Sequence, residues 1–242
     1  LDAAQVVVFP ECALTGYAVA SKQEGMDVAV SSNGREVNHL IEIVRSLDKV
    51  VVVGTLEKEG DQLFNSCLLL GPEGMIGPYR KTHLPYLGAD RFSSPGAEAP
   101  RVIDLGYLRV GLHICYDASF PEASRCLMLA GADLAILPTN WPMDASVFAR
   151  HLAAVRAMEN HMYFMVVNRV GCEAGIEFIG QSRLCDPSGK VLAELPDASE
   201  SVMLADIEPG LARRKKIVRV PGEHEIDRIA DRRPDLYGRL VK

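Results

Sequence analysis

The chain has 242 residues and a formal net charge of −6, with 48% hydrophobic and 24% charged residues. This length and composition are typical of one large α/β domain, or two small ones, with a substantial buried core. The acidic balance argues against a nucleic-acid partner, because phosphate binding needs clustered lysine and arginine, and no apolar run is long enough for a membrane helix. Six scattered cysteines favour reduced thiols in a cytoplasmic protein over a disulfide framework or a zinc site.

The first strand is predicted within residues Leu1–Phe9, LDAAQVVVF, which begin like the end of a helix and continue directly into a buried strand. A domain of βα units normally has an earlier strand and helix, so we expect this amino-terminal pair to be missing from the chain. Pro10-Glu11 follows the strand, and a carboxylate at this end of a strand faces the crevice outside the sheet. From this segment alone, a solvated loop glutamate is the favoured interpretation.

The next elements are a helix, a strand and a hairpin. A helix is predicted over Ser32–Leu47 with Asn33 as its cap, followed by a buried strand over Val50–Leu56. A hairpin over Asn65–Ile76 then leads to Lys81. A lysine on a loop is normally a solubilising charge, but this one stands between a strand and a proline-bounded loop, which makes it a candidate to be held in a cleft.

A strand–turn–helix–strand unit occupies the middle of the chain, RVGLHICYDASFPEASRCLMLAGADLAILPTN. Arg109–Ile114 alternates like a strand, Pro121 suits the first turn of a helix, and Asp133–Leu137 is typical of the next strand. Cys115 lies on the turn after the first of these strands, where polar side chains reach the crevice outside the sheet. A thiol there is a candidate nucleophile, although an arbitrary cysteine is more often a buried apolar residue.

The second half of the chain repeats a pattern of the first half. Asn140 and Trp141 follow a buried strand, and the lone tryptophan is either a core residue or the wall of a pocket. A helix is predicted over Asp144–His161, with one side formed by Val147, His151, Ala154, Val155 and Met158. A second hairpin over Gly180–Glu194 resembles the first, which favours one two-sheet sandwich over two unrelated domains.

Three polar residues therefore stand at or near predicted strand ends: Glu11, Lys81 and Cys115. A carboxylate takes the proton of a thiol and later activates water. An ammonium group lowers the pKa of the thiol and stabilises an oxyanion on the substrate. The thiolate attacks an sp- or sp²-carbon attached to nitrogen, so the set is suited to releasing ammonia or an amine through a thioester.

At these residues the sequence resembles the nitrilase superfamily of carbon–nitrogen hydrolases, along nearly its whole length. The similar segments, in order, are VVVFPECALTGY, GPYRKTHLP, GLHICYDASFPEASR, GADLAILPTNW, RAMENHMYFMVVNRVG, GQSRLCDPSGKVLAE and RRPDLYGRL. The resemblance implies Glu11 as general base, Lys81 as stabiliser of the oxyanion and the thiolate, and Cys115 as nucleophile.

The resemblance also implies an α/β fold, a four-layer αββα sandwich of two mixed β-sheets, without metal or cofactor. We expect residues 1–242 to form a single domain of this family. Residues 208–242, which lack regular periodicity, are expected to form an arm at the subunit interface of a homodimer or higher homo-oligomer.

The resemblance also guides the choice of reaction. Many family members carry a second glutamate after the lysine; the nearest acid here is Asp90, which either substitutes for it or belongs to a subgroup that does without. Cys115-Tyr116-Asp117 resembles the amidase branches more than the Trp-Glu of nitrilases or the Asn-Asp of carbamoylases. We therefore expect hydrolysis of a small primary carboxamide to a carboxylate and ammonia, with substrate contacts from Tyr116, Asn140, Trp141 and Asp90. The alternatives are a nitrilase or N-carbamoyl hydrolase, or an impaired binding protein on the same fold.

Overall fold

The computed structural model of the protein describes residues 3–241, the last of them by its backbone only, so the helix end predicted at Leu1–Asp2 lies outside the described residues. Two mixed β-sheets pack face to face, and helices cover the outer side of each sheet. The predicted four-layer αββα sandwich is confirmed. Among the described residues, no helix combines the length and the apolar character needed to span a membrane.

The first sheet has four strands, which follow one another in space as in the sequence. They are β1 (Val6–Val8), β2 (Val50–Glu59), β3 (Gln62–Gly71) and β4 (Gly74–Arg80), covered by α1 (Lys22–Val28) and α2 (Arg35–Leu47). β1 and β2 are parallel, and the other pairs are antiparallel. Because side chains alternate along a strand, Leu68 and Leu70 pack against α2 while Cys67 and Leu69 face the second sheet.

The second sheet has six strands around a parallel centre. In chain order they are β5 (Val102–Asp104), β6 (Arg109–Leu112), β7 (Leu134–Thr139), β8 (Tyr163–Asn168), β11 (Arg183–Cys185) and β12 (Val191–Glu194), with a hairpin of β9 (Val170–Glu173) and β10 (Ile176–Ile179) inserted between β8 and β11. Strands β6, β7 and β8 are parallel neighbours. Their outer face is covered by α3 (Pro121–Leu129) and α4 (Ser146–Asn160).

The face that α4 turns to the sheet differs from the stripe expected from the sequence. The helix buries Ala149, Leu152 and Ala153 against the sheet, whereas Val147 and Val155 are exposed. Small alanine side chains let the helix approach the sheet closely, so they form the contact although they contribute little to a hydrophobic stripe.

The described part of the chain after residue 207, which ends at residue 241, adds no layer to the sandwich. It contains the short helix α5 (Pro209–Arg213) and a hairpin of β13 (Lys216–Val220) and β14 (His224–Asp227). Ala212 of α5 is buried in the core between the two sheets. The position of this arm at a subunit interface stays a prediction.

Gly54 lies where the segment after β1 crosses β2. A Cβ added to Gly54 would stand 2.5 Å from both the Cys12 amide nitrogen and the Pro10 carbonyl oxygen. We therefore expect Gly54→Ala to lower the free energy of unfolding by about 1–3 kcal/mol, because the backbone that carries Glu11 must move. Chemical denaturation measures the change, with Gly238→Ala as control, since no atom of the described residues lies within 4 Å of a Cβ added at Gly238. Equal midpoints for the two variants would contradict the close approach.

Candidate active site

The predicted glutamate, lysine and cysteine come together where β1, β4 and β6 end. Glu11 lies on the loop after β1, Lys81 directly follows β4, and Cys115 begins the short turn after β6. Lys81 Nζ is 2.8 Å from Glu11 Oε1, and both side chains are fully buried. The charge of Glu11 raises the pKa of the Cys115 thiol and the charge of Lys81 lowers it, so the three groups share one site.

Lys81 is held between two carboxylates. Its Nζ donates to Glu11 Oε1 at 2.8 Å and to Asp90 Oδ2 at 2.6 Å. Burial by itself would lower the pKa of Lys81, but the charges of Glu11 and Asp90, together with the hydrogen bond to Asp90, raise it well above its usual value. Lys81 is therefore an ammonium group at neutral pH.

The two oxygens of Glu11 differ in their partners. Oε1 accepts hydrogen bonds from Lys81 Nζ and from Asn65 Nδ2, the latter at 2.7 Å. Oε2 is buried and has no hydrogen-bond partner among the described residues. Burial raises the pKa of Glu11 in spite of the opposing effect of Lys81. Glu11 thus combines a raised proton affinity with one free oxygen, which are the properties of a general base.

Cys115 lies on a sharp turn between strand and helix. Its φ of 45° is in the left-handed region that non-glycine residues rarely adopt, and such strain is often found at functional sites. Burial and the charge of Glu11 raise the pKa of the Cys115 thiol to about 12, although Lys81, Thr139 and the Asn140 backbone lower it. Lys81 lowers the pKa of the Cys115 thiol, as predicted from the sequence, but the resting residue is a thiol because burial outweighs that effect.

The predicted substrate-contact residues are divided between the site and its surroundings. Asp90 lies in the cluster, bonded to Lys81. Asn140 is buried next to Cys115, and neither polar atom of its side chain has a hydrogen-bond partner among the described residues. Trp141 packs in the core with its ring 5.3 Å from that of Phe148. Tyr116 is exposed at the surface. Substrate contact by these four residues stays a prediction.

Two residues of the cluster carry no role in the sequence analysis. Asn65 Nδ2 donates to both carboxylates, at 2.7 Å to Glu11 and 2.9 Å to Asp90. The Tyr17 hydroxyl donates to Asp90 Oδ2 at 3.0 Å. A signal for Asn65 was present, because a buried strand such as QLFNSCLLLG tolerates an amide in its middle only where the amide finds partners.

Asp117 was used in the sequence analysis only to choose the reaction; in the structure it connects the segment that carries Lys81 to the turn that carries Cys115. Its buried carboxylate accepts from the Tyr79 hydroxyl at 2.8 Å, from the Thr82 hydroxyl at 2.9 Å and from the Ile114 amide at 2.9 Å. His83 donates to the same carboxylate from its backbone at 3.0 Å. Because several donors bond one carboxylate, the two segments are held at a fixed distance and orientation, which positions Lys81 relative to Cys115.

The arrangement can carry out nucleophilic acyl chemistry, with a partly buried thiol beside a buried carboxylate and a buried ammonium group. Within residues 3–241, no group of three or more His, Cys, Asp or Glu side chains is placed to hold a metal ion. The family model described as carbon-nitrogen hydrolase matches residues 2–216. The chain belongs to the carbon-nitrogen hydrolase family. Its relatives place it in the nitrilase superfamily, in an amidase-like branch.

Two relatives of this carbon-nitrogen hydrolase are similar over almost the whole chain. A protein named "Nitrilase" from Pyrococcus abyssi (strain GE5 / Orsay) is 39% identical over 98% of this chain and 87% of its own length. An "(R)-stereoselective amidase" from Pseudomonas sp. is 36% identical over 96% of this chain and 81% of its own length.

Two solved structures share the fold. A crystal structure of an amidase from Nesterenkonia sp. has a TM-score of 0.80 and 26% identity, covering 98% of this chain and 84% of that one. A variant of the amidase from Nesterenkonia sp. AN1, with acrylamide added at its active-site cysteine, has a TM-score of 0.78 and 25% identity over 98% of this chain and 86% of that one.

Proposed function

We propose that this carbon-nitrogen hydrolase converts a small primary carboxamide into a carboxylate and ammonia through a thioester on Cys115. The observation that carries the proposal is the cluster itself, in which a buried carboxylate with one free oxygen and a buried ammonium group meet a partly buried thiol. The amidases among the relatives and solved structures support the same reaction class.

The first half of the reaction forms the thioester. As the Cys115 sulfur attacks the carbonyl carbon, the thiol proton moves to Glu11 and the C=O electron pair moves onto oxygen. The Lys81 ammonium stabilises this oxyanion, since it is buried and remains charged. When the tetrahedral adduct collapses, the C–N bond breaks, the nitrogen takes the proton from Glu11, and ammonia leaves.

The second half of the reaction regenerates the thiol. As the oxygen of a water molecule attacks the thioester carbon, the water gives a proton to Glu11, so the same carboxylate serves as base twice. The C–S bond then breaks, the sulfur recovers a proton from Glu11, and the carboxylic acid leaves. A resting thiol with a pKa of about 12 suits this route, because the proton leaves only during attack.

The side chain of Asn140 supports a primary carboxamide as substrate. It is buried beside Cys115, and its donor and its acceptor are both unpaired among the described residues. A primary carboxamide offers one acceptor and an NH₂ donor, which complement such a group. Unpaired buried polar atoms are costly, so a substrate that satisfies them gains binding energy.

A nitrilase reaction is the second candidate. The Pyrococcus abyssi relative at 39% identity is named a nitrilase. A thiol attacks the sp-carbon of a nitrile as it attacks an amide carbon, with nitrogen again the atom that takes up protons. The geometry of Glu11, Lys81 and Cys115 therefore suits both substrates.

Ammonia release from a substrate panel separates these possibilities. We expect the protein to release ammonia fastest from small primary carboxamides, more slowly from the matching nitriles and N-carbamoyl compounds, and not at all in a Cys115→Ala variant. Turnover of nitriles or carbamoyl compounds alone would show that the amidase assignment is wrong. No turnover of any class, with a fully folded protein, would favour the binding protein on the same fold.

A further inference from the structure

The two acids that flank Lys81 share a second partner. Glu11 and Asp90 are both buried, so two carboxylates face one ammonium group away from water. The Asn65 side-chain nitrogen donates one hydrogen to Glu11 Oε1 at 2.7 Å and the other to Asp90 Oδ1 at 2.9 Å. The amide thus adds a further hydrogen bond to each of the two carboxylates that Lys81 already bonds.

We propose that Asn65 is a positioning residue of the reaction, which fixes the Glu11 carboxylate so that Oε2 stays free to accept protons. The proposal rests on the proposed function, because it concerns the base of that reaction. Lys81 and Asn65 both bond Oε1, so a rotation of the carboxylate would break two charge-assisted hydrogen bonds. Oε2 is the oxygen without a partner among the described residues.

The orientation of the Asn65 amide is itself determined by its surroundings. Its oxygen accepts a weak hydrogen bond from Cys12 Sγ at 3.6 Å. The reversed amide would place that oxygen against two carboxylates, which is electrostatically unfavourable. The NH₂ group therefore points to the acids in the resting site.

The backbone of Asn65 adds a second connection to the site. Asn65 lies in the middle of β3, paired with Leu56 of β2, and its carbonyl accepts a hydrogen bond from the Lys81 amide at 2.8 Å. One residue of a rigid strand therefore positions the lysine through its backbone and both acids through its side chain. Supporting residues of this kind hold the reacting groups within the narrow range of positions and angles that catalysis needs.

Asn65→Leu tests the proposal, because leucine has a similar shape and lacks the donors. Losing a hydrogen bond to a charged group predicts a roughly ten- to hundredfold fall in kcat/KM for amide hydrolysis. The Asn65 bond lowers the pKa of Glu11, so its loss raises that pKa, and Glu11 is then protonated over a wider range. In a plot of kcat/KM against pH, the acid limb, where the rate falls because Glu11 becomes protonated, should therefore move to higher pH by about one to two units.

Ser66→Ala is the matched control. Ser66 is the next residue of the same strand, is equally buried, and donates to the Glu57 carboxylate at 2.6 Å, away from the cluster. We expect it to lose stability without moving the acid limb. An unmoved limb in Asn65→Leu, or a loss of kcat/KM no larger than in Ser66→Ala, would overturn the proposal.

Two further measurements keep the test decisive. If Asn65→Leu does not fold, Asn65→Thr retains one donor in a strand-compatible residue and should shift the limb by a smaller amount; no shift would overturn the proposal. Alkylation of Cys115 by iodoacetamide, followed against pH, reports on Glu11 without turnover. If the unaltered protein hydrolyses no amide, the proposed function fails, but an alkylation profile that is the same in Asn65→Leu would still refute the role of Asn65.

Discussion

Replacing Cys115 with alanine is expected to abolish amide turnover while leaving the fold intact. Loss of the nucleophile removes the thioester route, and a loss of about 10⁵-fold or more is the usual consequence. Alanine also relieves little strain, since it keeps a Cβ at the same positive φ. Ammonia release measures the activity, and thermal unfolding shows whether the variant is folded.

Cys126→Ala is the matched control for this experiment. Cys126 is an exposed thiol on α3, eleven residues further along the same strand–turn–helix unit. It has a sulfur but no carboxylate or lysine partner in the cluster, so its removal should leave turnover within about twofold of the original. Equal losses in the two variants would contradict the assignment of Cys115 as nucleophile.

The four-layer sandwich was implied by the family resemblance, whereas the positions of Glu11, Lys81 and Cys115 could be predicted from the residues themselves. These three residues stand one to three positions after the ends of β1, β4 and β6. The order of strands and polar residues is a local property of the chain, and polar side chains at the carboxyl ends of strands collect in the crevice outside the sheet. The meeting of Glu11, Lys81 and Cys115 was therefore within reach of sequence reasoning.

Contacts that depend on three-dimensional proximity were beyond the sequence. Asn65 and Asp117 acquire their partners only when the loops after β1, β4 and β6 fold over one another. The state of the Cys115 thiol also depends on burial, which motif spacing does not report. From the sequence, Asn65 and Asp117 were therefore assigned no role in the site, and the effect of Lys81 on the Cys115 pKa was overestimated relative to that of burial.

The predicted N-cap of α2 was wrong. Asn33 was predicted to cap α2, but the cap is Gly34, without a side-chain hydrogen bond. The Asn33 side chain instead accepts from the Ser31 hydroxyl at 2.7 Å. Short polar side chains compete for neighbouring groups in just this way, so a cap cannot be assigned from residue type alone.

Replacing Lys81 with methionine is expected to reduce kcat/KM by about a thousandfold or more. Methionine keeps much of the side-chain volume but removes the charge that stabilises the oxyanion. The same charge lowers the pKa of Glu11, so without it the buried carboxylate binds a proton more readily and a smaller fraction of Glu11 can act as a base. Both effects lower the rate.

Stability measurements distinguish this electrostatic role from simple packing. Removing one partner of a buried ion pair costs about 3–5 kcal/mol, and here two carboxylates lose their counter-charge. Without Lys81 the pKa of the buried Glu11 rises further, so Glu11 escapes part of this cost by binding a proton. The deficit of Lys81→Met in urea denaturation should therefore shrink as the pH falls from 8 toward 5. Lys22→Met, at an exposed position on α1, should change neither the rate nor the pH dependence. Near-normal kinetics in Lys81→Met, or a stability deficit independent of pH, would show that the ammonium group is not the counter-charge of the two acids.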